Sequence, residues 1–179
     1  MDIQVKIENC NIPDIKLVKN NIFNDDRGRF IESYKKKVYE SNGMNFSFVQ
    51  DNLVYSKKNV LRGLHYQKKF PQGKLVSAIS GEIFDIAVDI RKESKYYGQW
   101  IGKIISDKNC HQLYVPPGFA HGYCVLSDYA VVMYKCTEYY HESDQYGVIW
   151  NDKDISIDWP IDSPILSEKD SKLPTLNEN

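Results

Sequence analysis

Short β-like runs, rich in β-branched and aromatic residues, recur along most of the chain, at 48–55, 59–66, 74–79, 82–90, 100–106, 112–115, 121–126 and 129–137. Gly, Asn, Asp, Pro or Ser separates them, which are the residues that turn a chain. Within 82–90, Phe84, Ile86, Val88 and Ile90 share one face while Asp85 and Asp89 fall on the other. That period of two belongs to a strand, not to a helix. Only 35–43 supports a short helix. Ser80-Gly81 and Ser127-Asp128 read as tight hairpin turns, Gly81 taking a positive φ at little steric cost. A succession of short strands without a long helix predicts an all-β fold, an antiparallel sandwich most economically wound as a jelly roll. The tail from Asp152 onward has no clear period and is expected to wrap it.

With 179 residues and 20.8 kDa the chain suits one domain spanning 1–179. Hydrophobic residues make up 42%, including 13 Tyr, 7 Phe and 3 Trp, so a packed core is expected and disorder is excluded for most of the length. The longest uninterrupted apolar run, 129–134, is far short of the ~20 residues that span a bilayer. Asp2, Lys6 and Glu8 leave no apolar stretch of a secretory leader near the N-terminus, which predicts a cytoplasmic protein. Cys10, Cys110, Cys124 and Cys136 form no Cys-x-x-Cys pair and read as reduced fillers.

A net charge of -1 offers no global field for nucleic acid or an anionic membrane. Locally the picture differs. Residues 55–75 carry Lys57, Lys58, Arg62, Lys68, Lys69 and Lys74 without an acid. The other lysines suit a solvated surface, whereas Arg62 and Lys74 are candidates for holding a small anion.

His111 and His141 lie among polar neighbours and read as surface residues. His65 sits inside an apolar strand, and His121 opens another directly after Pro116-Pro117-Gly118-Phe119-Ala120. Satisfied core histidines would account for both. A metal site is not expected, because Tyr66 and Gln67 follow His65 where a hairpin metal site would supply a second His and a carboxylate. Nucleophile elbows, phosphate loops and dinucleotide fingerprints are absent from the sequence. His, Lys, Tyr and Arg spread over strands suit proton transfer beside a carbonyl, where a base removes an α-proton and a cation meets the enolate oxygen. Residue types alone do not place these side chains in one pocket.

Asp25-Asp26-Arg27-Gly28, Phe48-Val49-Gln50-Asp51-Asn52, Asn59-Val60-Leu61-Arg62-Gly63-Leu64-His65-Tyr66-Gln67 and Gln72-Gly73-Lys74-Leu75-Val76 resemble segments of the dTDP-4-dehydrorhamnose 3,5-epimerase family. So do Phe84-Asp85-Ile86-Ala87-Val88-Asp89-Ile90-Arg91, Pro117-Gly118-Phe119-Ala120-His121-Gly122, Tyr134-Lys135-Cys136-Thr137, Trp150-Asn151-Asp152 and Leu166-Ser167-Glu168-Lys169-Asp170, in the family's order. The resemblance implies a cupin-type jelly roll, a homodimer without metal or cofactor, that inverts C3 and C5 of a dTDP-linked 4-keto-6-deoxy sugar. It makes His65 the base, Asp170 its carboxylate partner, Tyr134 the acid on the opposite face of the ring and Lys74 the cation near the enolate. Arg27, Glu32, Gln50, Asn52 and Arg62 match positions that hold the nucleotide. His121, Gln145 and Lys169 match ligand-contacting positions, Gln145 standing where the family often has Glu. Relatives that invert one carbon only, that act on other nucleotide sugars, or that bind a sugar without turning it over are the alternatives. Arg62 and His65 are three apart, so regular alternation would separate them. A bulge at Gly63 would bring them together.

Overall fold

The structure, a computed structural model, describes residues 5–179. Its strands run β1 (Lys6–Asn9), β2 (Lys16–Lys19), β3 (Phe23–Asp25) and β4 (Gly28–Phe30), then helix α1 (Lys36–Ser41). There follow β5 (Gln50–Lys57), β6 (Leu61–Gln67), β7 (Lys74–Ser80), β8 (Glu82–Asp89) and β9 (Trp100–Ser106). The series closes with β10 (His111–Val115), β11 (Phe119–Val125), β12 (Tyr129–Cys136) and β13 (Gln145–Gly147). A six-stranded sheet in the order β1-β2-β10-β7-β12-β5 faces a five-stranded sheet in the order β13-β6-β11-β8-β9, and β3 and β4 form a separate hairpin. All these pairings are antiparallel, as the alternating pattern predicts. Among the described residues no helix is long and apolar enough to cross a membrane.

The two turns expected to close hairpins instead carry the chain from one sheet to the other. β7 and β12 belong to the six-stranded sheet, β8 and β11 to the five-stranded one. The local chemistry is as expected, with Gly81 at φ +79°, but its surroundings decide the direction. Gly81 N–H donates to Asp107 Oδ2 and Glu82 N–H to Ser127 Oγ, so the two turns and the end of β9 lock into one corner. A Cβ at Gly81 would lie 2.2 Å from the Tyr129 carbonyl oxygen, too close for any other residue.

Three buried clusters follow from this layering. Between the sheets lie Val76, Ala78, Ile83, Ala87, Val125 and Val132 among others. The outer face of the five-stranded sheet, with Leu64, Tyr66, Ile86 and Val88, is covered by Ile155, Trp159 and Leu176 of the wrapping tail. The outer face of the six-stranded sheet packs Val18, Leu75 and Tyr114 under Tyr39 and Met44 from the α1 region. Each such aliphatic side chain taken from water stabilises by about 1.5–3 kcal/mol, so both sheets are held on two sides at one end. This changes the meaning of the 82–90 pattern. Phe84, Ile86 and Val88 do share a face, but Asp85 and Asp89 on the other face are fully buried, because that face points between the sheets. Asp89 is satisfied there by Arg91 and Ser94. Burial alone would raise its pKa; those bonds outweigh it and hold the carboxyl below its ordinary value.

Candidate active site

The interior of the sandwich turns from apolar to polar toward one end, row by row. In the six-stranded sheet, Val132 pairs with Val54 and Ala78, then Tyr134 with Asn52 and Val76, then Cys136 with Gln50 and Lys74. In the five-stranded sheet, Tyr123 pairs with Arg62 and Asp85, and His121 with His65 and Ala87. The polar rows face each other across two adjoining cavities. One, of about 260 Å³, is lined by Gln50, Asn52, His65, Lys74, Tyr134, Tyr140 and Gln145, among others. The second, of about 280 Å³, is lined by Arg62, His65, Lys74, His121, Tyr134, Gln145, Lys169 and Asp170, among others.

Gly63 brings Arg62 and His65 to the same cavity despite their spacing. The pairing of β6 with β11 slips between His121 and Tyr123, so the stretch from Arg62 to His65 is matched by one residue fewer opposite. Gly63 takes φ +115° there, and a Cβ on it would meet the His121 carbonyl oxygen at 2.6 Å and Gly122 Cα at 2.7 Å. The expected bulge is therefore present, and glycine is required on both strands, since a Cβ at Gly122 would meet the Arg62 carbonyl oxygen at 2.6 Å.

The tail delivers Asp170 to His65. Asp170 Oδ1 lies 2.7 Å from His65 Nε2, leaving Nδ1 as the other ring nitrogen available for proton exchange. Ser167 Oγ accepts from the Asp170 N–H at 3.0 Å and fixes the turn. Burial would raise the Asp170 pKa, but the His65 bond, the Gly63 N–H and Ser167 outweigh it, so the carboxyl is held below its ordinary value. A carboxylate at that position holds one imidazole tautomer and orients the ring toward the cavity. Lys74 projects from the opposite sheet beneath Tyr134, its Nζ 5.9 Å from the ring centroid. Burial lowers the Lys74 pKa and raises that of Tyr134.

A second His–carboxylate pair was not foreseen. His121 Nε2 lies 2.8 Å from Asp85 Oδ1, with both residues buried. Burial lowers the pKa of His121 and raises that of Asp85, so both shifts favour the uncharged pair. Asp85 Oδ2 has no hydrogen-bond partner among the described residues. The only signal in the sequence was an acid on the alternate positions of an otherwise apolar strand.

At the mouth, Gln145 Oε1 accepts from Tyr140 Oη at 2.9 Å and Lys169 Nζ at 2.6 Å, joining the 138–145 loop to the tail. Gln50 Nε2 donates to Asn52 Oδ1, and Gln50 Oε1 accepts from the Tyr140 N–H. Arg62 Nε donates to Ser56 Oγ across the gap between the sheets. Two predicted site residues lie elsewhere. Arg27 sits at the tip of the β3–β4 hairpin, its side chain 90% exposed and paired with Asp25 at 2.6 Å. Glu32 lies beyond β4 beside Lys35 at 3.6 Å. Neither lines these cavities. Nor are His111 and His141 freely exposed: both are half-buried, His141 stacked on Phe70.

A base held by a carboxylate on one sheet, facing a phenol and an ammonium on the other, can remove a proton from one side of a flat carbonyl compound and return one from the other. Known proteins share this architecture. A dTDP-4-dehydrorhamnose 3,5-epimerase of Methanothermobacter thermautotrophicus is 48% identical over 166 residues, covering 91% of this chain and 90% of that one. A solved epimerase from Legionella pneumophila, in complex with dTDP-4-keto-L-rhamnose, superposes with a TM-score of 0.95 at 46% identity, covering 97% and 94% of the two chains. One from Bacillus anthracis, with TDP and PPi bound, gives 0.94 at 49% identity over 96% and 99%. The family model described as dTDP-4-dehydrorhamnose 3,5-epimerase matches residues 9–178, so this chain, a cupin-like β-sandwich, belongs to that family of epimerases.

Proposed function

We propose that this protein converts dTDP-4-dehydro-6-deoxy-D-glucose to dTDP-4-dehydro-L-rhamnose in the cytoplasm, inverting C3 and C5. The observation that carries the reading is the opposition of His65–Asp170 on one side of the cavity to Tyr134 and Lys74 on the other. His65 removes the proton α to the C4 ketone. The Lys74 ammonium, already costly to bury, gains an anionic partner as charge develops on the oxygen, an interaction stronger in the transition state than before it. Tyr134 returns a proton from the opposite face, and burial, by raising its pKa, keeps the phenol protonated until then. Both inversions use one device, because C3 and C5 each flank the same ketone, once His65 has released its proton to solvent and Tyr134 has taken one back. Arg62 and Lys169 are suited to the diphosphate, a guanidinium fork pairing with two phosphate oxygens at once. Gln50, Asn52, His121 and Gln145 complete the lining as neutral or proton-sharing partners for the sugar and nucleotide.

The test is incubation of that nucleotide sugar with the protein in heavy water, followed by NMR. Deuterium at both C3 and C5 is expected. Label at one carbon only reassigns the chain to mono-epimerisation, as in the 3'-monoepimerase of Streptomyces bikiniensis, which is 29% identical. No label at either carbon overturns the reading.

The working unit is a homodimer. Leu53, Tyr55, Ile79 and Tyr129 leave an exposed apolar area on the six-stranded sheet, and Phe30 on the hairpin is 62% exposed. Contiguous exposed apolar surface of this kind marks an association site. Arg27, remote from its own chain's cavity, then has a second cavity within the assembly to serve. Light scattering should give twice 20.8 kDa; a monomer at working concentration would remove both the dimer and the role of Arg27.

A further inference from the structure

The tail that carries Asp170 is itself pinned from a distance, and we infer that Asp152 is the positioning residue that does so, setting the His65–Asp170 pair without touching it; as a statement about catalysis this rests on the function proposed above. Asp152 is 4% exposed and its carboxylate is fully used. Oδ1 accepts from the Asp154 N–H at 2.8 Å and the Ile155 N–H at 3.0 Å, while Oδ2 accepts from the Leu176 N–H at 2.7 Å. One side chain therefore joins the turn that follows β13 to the far end of the tail.

Asp170 lies in the span between the two. Upstream, the segment is anchored where Ile165 N–H donates to Asn59 O and Leu61 N–H to Ile165 O, at the start of the strand that bears His65. Downstream, Ile149 N–H donates to Pro174 O, and the Asn179 amide donates to Gly147 O while accepting from Tyr66 Oη. Leu173 presses on Gly147 so closely that a Cβ there would meet Leu173 Cδ1 at 2.7 Å. Gly147 is the register partner of His65. The tail thus closes over the very strand pair that carries the base. Its hold at Leu176 depends on a buried carboxylate accepting from a backbone N–H, the strong, charge-assisted kind of bond. With that bond broken, the downstream hold falls to the Pro174 and Asn179 bonds and the packing of Leu173, and the residues between Ile165 and Leu176 loosen. A displacement of ~1 Å at a reacting pair is enough to cost up to ~10²-fold in rate.

The experiment pairs Asp152→Ala and Asp152→Asn with Asp170→Asn in a double-mutant cycle. Asp152→Asn keeps one acceptor for the 154–155 turn but points an N–H donor at the Leu176 N–H, so it loosens the tail selectively. Turnover of dTDP-4-dehydro-6-deoxy-D-glucose and amide hydrogen exchange by mass spectrometry are both read. Expected is a fall in kcat of roughly 10- to 100-fold for Asp152→Ala, less for Asp152→Asn. Exchange in 165–176 should speed up while β8 stays protected. The Asp152→Ala/Asp170→Asn protein should be no slower than Asp170→Asn alone, because residues acting through one another are not additive. An additive loss in the double variant overturns the inference, as does unchanged exchange in 165–176 or loss of β8 protection in both Asp152 variants. If the unmodified protein does not turn over the sugar, the proposed function fails, while the exchange measurement still decides whether Asp152 holds the tail.

Discussion

Replacing His65 by alanine is expected to lower turnover by ~10²- to 10⁴-fold, the range over which positioned acid–base groups contribute. The same variant should abolish deuterium uptake at C3 and C5 and still bind dTDP. The separation of these effects follows from where the ring lies. Its side chain is 24% exposed and faces the cavity, whereas Leu64 and Tyr66 on either side bury themselves under the tail. Losing the imidazole therefore removes the base and leaves both flanking core contacts. Arg62, Lys169 and the Gln50–Asn52 pair keep their positions and their polar partners, so nucleotide affinity should change little. A His65→Ala protein with near-native turnover would end the assignment of the base. Loss of activity together with loss of cooperative melting would instead point to a structural histidine.

The second large effect is expected at Gly63→Ala, a substitution of one methyl group with no polar atom. Non-glycine residues held at strained positive φ cost on the order of 1–3 kcal/mol. Here the added carbon also has to displace the backbone of β11 at His121 and Gly122. The relief available is to lose the slipped register, and that would turn either Arg62 or His65 away from the cavity. Turnover should therefore fall by ~10²-fold or more, since misplacement of about 1 Å has that effect. Thermal melting should show a matching loss of stability. A Gly63→Ala protein that melts and turns over like the parent would mean that β6 tolerates the methyl group without change of register, and that the bulge does not serve the site.

Strand positions and the bulge were legible because both depend on local chemistry. Strand-like runs such as 82–90 and 129–137 appear as strands within one or two residues of their expected ends. The slip at Gly63 could be anticipated from a spacing of three with a glycine inside it. What was not legible depends on partners distant in sequence. Ser80-Gly81 has the same turn chemistry whether the next strand folds back beside its predecessor or crosses to the opposite sheet; the choice is made by Asp107 and Ser127. The pattern of β8 put Asp85 on the face opposite the apolar one without saying which face lies inside; the tail covers the apolar face and leaves the aspartate on the inner side. β1, β2, β3, β4 and β13, each of three or four residues, are too short to show a period. Arg27 and Glu32 were grouped with the cavity on resemblance alone, and the fold of a single chain holds them away from it.

One consequence comes from the division between the sheets of the groups proposed to react. The gap separating His65 from Tyr134 is the thickness of the sandwich, and stacked sheets keep about 10 Å between their backbones only while the side chains between them fill the space. Val132, Ala78, Val125 and Ile83 are therefore spacers as much as core. Trimming or enlarging one of them alters how far a proton donor stands from its acceptor, so aliphatic residues remote from any ligand become tuners of reach.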